Sequence, residues 1–186
     1  MNRWVEFLLA LGGGLILLPV AAIVALAVRS TSRGPTLYWS ERIGRGGKVY
    51  HMPKFRSMKV GTAAVASHLL ADPKTVLTPI GGFLRRTSLD EIPQLWCVLR
   101  GEMSLVGPRP ALFNQLDLIA MRRDAGVDVM RPGITGWAQI NGRDEIPLDV
   151  KVALDRQYLV RRSLAFDLHI ILRTIGKLVG DNSVSH

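Results

Sequence analysis

The sequence predicts an α+β chain, mostly helical, in which an N-terminal membrane helix leads into one domain with a small β-hairpin and amphipathic helices. Three observations predict it. The 22 residues from Phe7 to Val28 carry no charge, two strand-like runs flank Gly44-Arg45-Gly46-Gly47, and apolar residues recur at helical spacing beyond Thr87. A length of 186 residues with 48% apolar side chains suits a single core. The boundary falls near residue 29, giving a membrane segment over 1–29 and a domain over 30–186.

The uncharged run is long enough to cross a bilayer as a helix, for which about 20 residues are needed. It exceeds the apolar stretch of a signal peptide, and Arg29 and Arg33 come directly after it, so the segment is expected to stay attached. Pro19 lies inside the run and removes one backbone donor, and Gly12-Gly13-Gly14 loosens it further. A kinked spanning helix and a re-entrant hairpin broken near Pro19 both fit. Positive residues beyond the run, Arg29, Arg33, Arg42 and Arg45, favour a cytoplasmic location for the domain over 30–186.

Leu37 to Ile43 and Val49 to Met58 read as the two arms of a hairpin with a glycine turn. Lys54, Arg56 and Met58 share one face of the second arm, available to a ligand or simply solvated. A nucleotide P-loop is rejected, because position 42 is Arg where the first glycine is required and Val49 follows Lys48. Gly61 to Pro79 reads as a loop with a short helix around Ala63 to Leu70.

The next helix is expected over Thr87 to Leu99, with Ile92, Leu95, Trp96 and Leu99 on its apolar face and Gly101 ending it. Ser88 is the natural N-cap, and Ser88-x-x-Glu91 has the form of a capping box. Stability alone could therefore account for Asp90 and Glu91. Their surroundings point further: Arg85 and Arg86 precede them and Arg109 follows, and a helix start among arginines is an anion site. A carboxylate pair beside a phosphate calls for a hard divalent cation, expected to be Mg²⁺ held by Asp90 and Glu91. An ionised Asp90 can then act as a nucleophile.

Pro108 and Pro110 fix the backbone around Arg109, which suits a bidentate grip on phosphate. In Arg131-Pro-Gly-Ile-Thr-Gly-Trp-Ala-Gln-Ile-Asn-Gly-Arg143, the glycines would let backbone approach a ligand, with Gln139 and Arg143 as ligand residues and Trp137 in the core. The last helix, about Phe166 to Val179, is two-faced. Leu168, Ile171, Leu172, Ile175 and Leu178 oppose His169, Arg173 and Lys177, which fits an interfacial helix on anionic lipid or a core-packed one.

Net charge is +9, all of its excess beyond residue 28 because Arg3 and Glu6 cancel. Anionic partners are therefore expected. Nucleic acid is not among them, since the basic residues are scattered among glycines and acids with no zinc-finger, RRM or KH pattern. One cysteine, Cys97, excludes an intrachain disulfide, and the histidines at 51, 68, 169 and 186 lack zinc-ligand spacing.

Four blocks together resemble the bacterial sugar transferase family, the monotopic phosphoglycosyl transferases: Arg42-x-Gly44-x-x-Gly47 with Lys54-Phe-Arg-Ser-Met58; Arg85-x-Thr-Ser-Leu-Asp-Glu-Ile-Pro-Gln-Leu95; Met103-Ser-Leu-Val-Gly-Pro-Arg-Pro110; and Pro132 to Arg143. Asp155-x-x-Tyr158 and Ser163-x-x-x-Asp167 extend the resemblance, adding Asp155 and Asp167 to the substrate-binding candidates. It implies transfer of a sugar 1-phosphate from a UDP-sugar to undecaprenyl phosphate with release of UMP, as the first step of glycoconjugate assembly. It also implies a covalent phosphosugar intermediate on Asp90, Glu91 as its partner, Mg²⁺ as cofactor, and phosphate handling by Arg85, Arg109 and Arg143. The helix over 1–29 would be re-entrant at Pro19, holding the domain on the cytoplasmic face of the bacterial inner membrane, with a homodimer and downstream glycosyltransferases as further partners. The chain departs from the family where Leu18-Pro19 replaces the frequent Ser-Pro, at Cys97 for Asn, at Glu102 for Asp and at Tyr50 for Phe.

Overall fold

The computed structural model describes residues 2–63, 65, 72, 75–142 and 146–180. Helices dominate. Helix α1 (Arg3–Thr31) is followed by an antiparallel hairpin, β1 (Leu37–Ile43) and β2 (Val49–Phe55), in the register Leu37 opposite Phe55 and Ile43 opposite Val49. Gly46 and Gly47 take positive φ (66° and 76°) in the turn, a conformation that suits glycine. The second strand ends at Phe55, three residues before the expected Met58. Most of the segment expected to hold a short helix at 63–70 lies outside the described residues.

Helix α1 is long and apolar enough to cross a membrane. Its Asn2 side chain caps the start by accepting from the Trp4 amide. Helical structure continues through Pro19 rather than ending there. A proline forfeits only one intrahelical hydrogen bond, and the flanking turns retain theirs. Both ends of α1 rest on the same domain. Near its start, Ala10 is buried with Tyr50, Met52, Cys97, Val98 and Met103, Arg3 donates to the Leu99 carbonyl at 2.9 Å, and Arg131 pairs with buried Glu6 at 3.5 Å. Near its end, Val24 and Val28 pack with Phe55 and Leu84. Between them Leu8, Leu15, Ile16, Leu18, Ile23 and Leu26 are exposed.

Helix α2 (Gly81–Arg86) leads to a 3-10 turn, Leu89–Gln94, and then to helix α3 (Leu95–Arg100), ended by Gly101 at φ 84°. The expected single helix from Ser88 is thus two elements, divided where Pro93 lacks an N–H. Its buried face is also displaced. Cys97 and Val98 are fully buried, whereas Trp96 is 51% exposed, because the 3-10 turn changes the phase of α3.

Strand β3 (Ser104–Val106) and strand β4 (Gly133–Thr135) form a parallel pair without a counterpart among the elements expected from the sequence, with helix α4 (Leu116–Asp124) between them. The pair exists because its backbones meet. A Cβ on Gly133 or Gly136 would overlap the Gly107 backbone. These glycines therefore serve approach between two chain segments, where the sequence suggested approach to a ligand. Helices α5 (Trp137–Ile140), α6 (Leu148–Arg161) and α7 (Leu164–Gly180) close the fold around Val106, Val127, Ile140, Tyr158 and Ile170. Trp137 packs there on Phe166, with ring centroids 5.0 Å apart, as a core side chain should.

Candidate active site

A cavity of about 510 Å³ opens between β2, the 3-10 turn, the Pro108–Pro110 stretch and α7. Lys54, Arg56, Arg85, Ser88, Asp90, Glu91, Arg109 and Gln139 line it, together with apolar side chains that include Leu17 of α1. Seven of the catalytic and substrate-binding candidates, all of those just named except Ser88, thus converge on one space, from segments up to 85 positions apart. The sequence does not mark out Thr135, Thr174 or Lys177 as a wall, yet all three line the cavity, and the two threonine hydroxyls lie 2.6 Å apart.

The 3-10 turn delivers the two acids in different states. Ser88 sits at φ 55° and makes no capping hydrogen bond, so the capping box suggested by Ser88-x-x-Glu91 does not form. Glu91 turns instead to the cations: Lys54 Nζ lies 2.7 Å from its Oε1 and Arg109 Nη2 lies 3.5 Å from the same atom. Burial pushes the Glu91 carboxyl upward, but Lys54 and Arg109 outweigh it and hold the group well below the usual carboxylate range. Asp90 is 6% exposed. Its carboxyl is pushed up to about 6, chiefly by burial and further by Glu91, against the opposing charges of Lys54, Arg85 and Arg109. Among the described residues, the salt bridges of the site go to Glu91 and not to Asp90.

The remaining candidates fall in different places. Arg56 lines the cavity with its guanidinium tied to the Pro35 carbonyl at 2.7 Å and set over the Tyr38 ring. Gln139 donates to the Ile134 carbonyl, leaving its Oε1 buried without a partner. Arg86 is exposed and does not line the cavity, since it ends α2 on the face away from Leu84. Arg143 lies outside the described residues.

Asp155 and Asp167 are not cavity residues either. Asp155, 2% exposed, receives two hydrogen bonds from Arg122, at 3.0 and 2.7 Å. Asp167, 1% exposed, accepts from the Tyr158 hydroxyl at 2.7 Å. Both carboxylates are internal partners of buried donors, which is how a folded chain tolerates them. Arg122, the cation of the first pair, is a functional candidate that the sequence conceals. Arg122-Arg123 reads as a solvated helix face, and its partner is 33 residues away.

Asp90 and Glu91 present oxygen donors of the kind a hard cation takes. Two adjacent carboxylates line the cavity, and no cluster of three or more metal-ligating side chains occurs among the described residues. Mg²⁺ commonly takes one or two carboxylates and completes its shell with phosphate oxygens and water.

The bacterial sugar transferase family model matches residues 1–181. UDP-glucose:undecaprenyl-phosphate glucose-1-phosphate transferase of Escherichia coli is 42% identical over 176 residues, covering 88% of this chain and 37% of that protein. UDP-galactose-lipid carrier transferase of Erwinia amylovora is 39% identical over 178 residues, 87% of this chain and 36% of the relative. The uncharacterized sugar transferase EpsL of Bacillus subtilis is 40% identical over 164 residues, covering 88% of this chain and 78% of that protein. The chain therefore spans little more than a third of the first two relatives and most of the third. With a match that runs from α1 to the end of α7, the chain belongs to the bacterial sugar transferase family.

Proposed function

We propose that this chain moves a sugar 1-phosphate from a UDP-sugar to undecaprenyl phosphate and releases UMP, with Asp90 as the nucleophile. The observation that carries this reading is the division of labour in the acid pair. Glu91 is neutralised by Lys54 and Arg109, while Asp90 faces the same cavity outside those salt bridges. An Asp90 carboxyl poised at about 6 is ionised at neutral pH yet poorly solvated, which suits a carboxylate nucleophile. The names of the two longer relatives support the donor and acceptor classes.

In the first half-reaction an Asp90 Oδ attacks the sugar-linked phosphorus. The bond from that phosphorus to the bridging oxygen breaks, and UMP departs with the electron pair. In the second, a phosphate oxygen of the lipid attacks the phosphosugar-aspartate, the Asp90–phosphorus bond breaks, and the carboxylate is restored. Arg109, Arg85 and Lys54 supply the positive charge that orients the phosphates. Asp90 and Glu91 would hold Mg²⁺, which would supply positive charge against the phosphates. The apolar part of the cavity wall, with Leu17 of α1, offers the lipid's first isoprene units an unhydrated path.

Re-entrant insertion of α1 from the cytoplasmic face of the bacterial inner membrane belongs to the same proposal. Contacts of both ends of α1 with one domain support it, as does the exposed row Leu164, Leu168, Leu172 and Ile175 on α7, an apolar surface for the acyl boundary of a bilayer. The test is UMP release from a panel of UDP-sugars with Mg²⁺ and undecaprenyl phosphate in lipid nanodiscs. Release from at least one sugar is expected, and Asp90→Asn should abolish it. An Asp90→Asn variant with undiminished turnover would exclude Asp90 as nucleophile.

A further inference from the structure

We infer that Arg122 and Asp155 are a positioning pair for Arg109, a role that rests on the proposed phosphoryl transfer. Arg122 is 8% exposed, and each of its three guanidinium nitrogens donates a hydrogen bond. Its Nε and Nη2 donate to Asp155 Oδ2 at 3.0 and 2.7 Å, and its Nη1 donates to the Arg109 carbonyl at 2.8 Å. That carbonyl belongs to the residue whose own guanidinium reaches Glu91.

The place of this contact in the chain gives it meaning. Pro108 and Pro110 offer no N–H, so the stretch they bracket has to be held through its carbonyls. All three are held: Pro108 by the Gly133 amide at 2.9 Å, Arg109 by Arg122 at 2.8 Å and Pro110 by Arg42 Nη1 at 3.0 Å. With φ fixed at both prolines and a donor on each carbonyl, Arg109 has little backbone freedom left. Its guanidinium is aimed from a rigid base, the condition under which arrangement of charge before reaction is effective.

A stability role alone explains this arrangement poorly. A buried ion pair contributes little net stability compared with apolar residues of similar volume. Asp155 orients the planar fork of Arg122, and the fork's remaining arm reaches the one carbonyl that carries a site residue. Lysine, with a single ammonium, would lack that fork geometry. The pair thus links α4 and α6 to the acid pair through Arg109, although neither residue lines the cavity.

The test is a double-mutant cycle on the full chain in nanodiscs, using Arg122→Lys, Arg109→Lys and the double variant, with UMP release and Tm measured for each. Arg122→Lys is expected to lower kcat/KM about tenfold in the wild-type background and less than about twofold in the Arg109→Lys background. The fall in Tm should be the same in both. Unchanged kcat/KM in Arg122→Lys overturns the proposal, as does a loss that repeats in full without the Arg109 guanidinium. Asp155→Asn takes the place of Arg122→Lys in the cycle if the latter does not fold. If wild type releases no UMP from any UDP-sugar, the functional reading fails separately. The positioning claim is then decided by the ¹⁵N-labelled Arg109 Nε–H resonance, which broadens in Arg122→Lys if the pair holds Arg109 and stays as sharp as in wild type if it does not.

Discussion

Lys54 Nζ lies 2.7 Å from Glu91 Oε1, so the second strand of the hairpin supplies the direct ion-pair partner of one acid, while at its neighbour Asp90 the same charge opposes burial without overcoming it. Two adjacent carboxylates consequently have opposite electrostatic status. Glu91 is held as a carboxylate by Lys54 and Arg109, whereas burial makes ionisation of Asp90 costly. Substitution of each acid by its amide should therefore move stability in opposite directions.

For Asp90→Asn the expected change in metal-free protein is a gain. The folded chain binds the Asp90 proton more tightly than the unfolded chain, whose carboxyl has the ordinary value of 3.8. Stability attributable to this group is intact below 3.8, falls as pH rises towards about 6, and is level above that. The variant should then exceed wild type by up to ~3 kcal/mol at pH 7 and match it near pH 3.5. Denaturant unfolding with chelator present measures this, and a variant less stable than wild type at pH 7 would contradict the assignment. A gain in stability with loss of turnover is the signature of a strained functional group.

Lys54→Met should act in the other direction, leaving Arg109 at 3.5 Å as the remaining cation paired with Glu91. Breaking a largely buried ion pair leaves a poorly solvated charge, and a loss of roughly 2–4 kcal/mol is expected. Glu91→Gln in the Lys54→Met background should recover part of that loss. The recovery arises because the uncompensated charge is then gone, and additive losses in the double variant would argue against a direct pair.

The legible parts of this chain are those whose cause is local. A glycine turn between alternating runs produces the hairpin, and an amphipathic repeat produces α7, because each needs only its own neighbours. The convergence of Lys54, Arg85, Asp90, Glu91 and Arg109 was legible as a cluster of residue types, without its wiring. Whether Glu91 caps a helix or binds Lys54 depends on where β2 lies, 37 residues earlier. The same limit conceals β3 and β4. Three-residue strands have almost no periodicity, and their pairing is decided by the fit of Gly133 and Gly136 against Gly107. It also hides the partners of Asp155 and Asp167, since a carboxylate facing a ligand and one facing a buried arginine or tyrosine look alike in sequence.

Gly133→Ala tests the backbone contact directly. The added Cβ would overlap the Gly107 backbone, and neither segment can yield without losing the hydrogen bonds between Gly107 and Thr135 and between Gly133 and Pro108. Destabilisation of about 3 kcal/mol or more is expected, at the upper end for overpacking because backbone rather than a rotatable side chain stands in the way. The control is Gly126→Ala, where a Cβ would meet open space and only the strain of φ 67° applies, costing about 1 kcal/mol. Equal Tm losses in the two variants would remove the special role of the Gly107–Gly133 approach.

Topology provides the last prediction. A helix of 29 residues is about 43 Å long and could cross a bilayer, which would put Arg3 and Arg29 on opposite sides. The contacts argue otherwise: Arg3 donates to Leu99, Glu6 pairs with Arg131, and Val28 is buried with Phe55, so crossing would strip one end of its partners. Stripping Arg131 from Glu6 and the Leu99 carbonyl from Arg3 would be the costlier half, because the buried Glu6 carboxylate would keep only its 4.0 Å contact to Arg3. Cysteines introduced at Asn2 and Thr31, both exposed, should react with a membrane-impermeant maleimide from the same side of the membrane. The native Cys97 is buried and should stay silent. In inside-out vesicles both positions are expected to label, and in intact spheroplasts neither. Labelling of Asn2→Cys from the periplasm alone would show that α1 spans, and that its docked start does not persist in the bilayer.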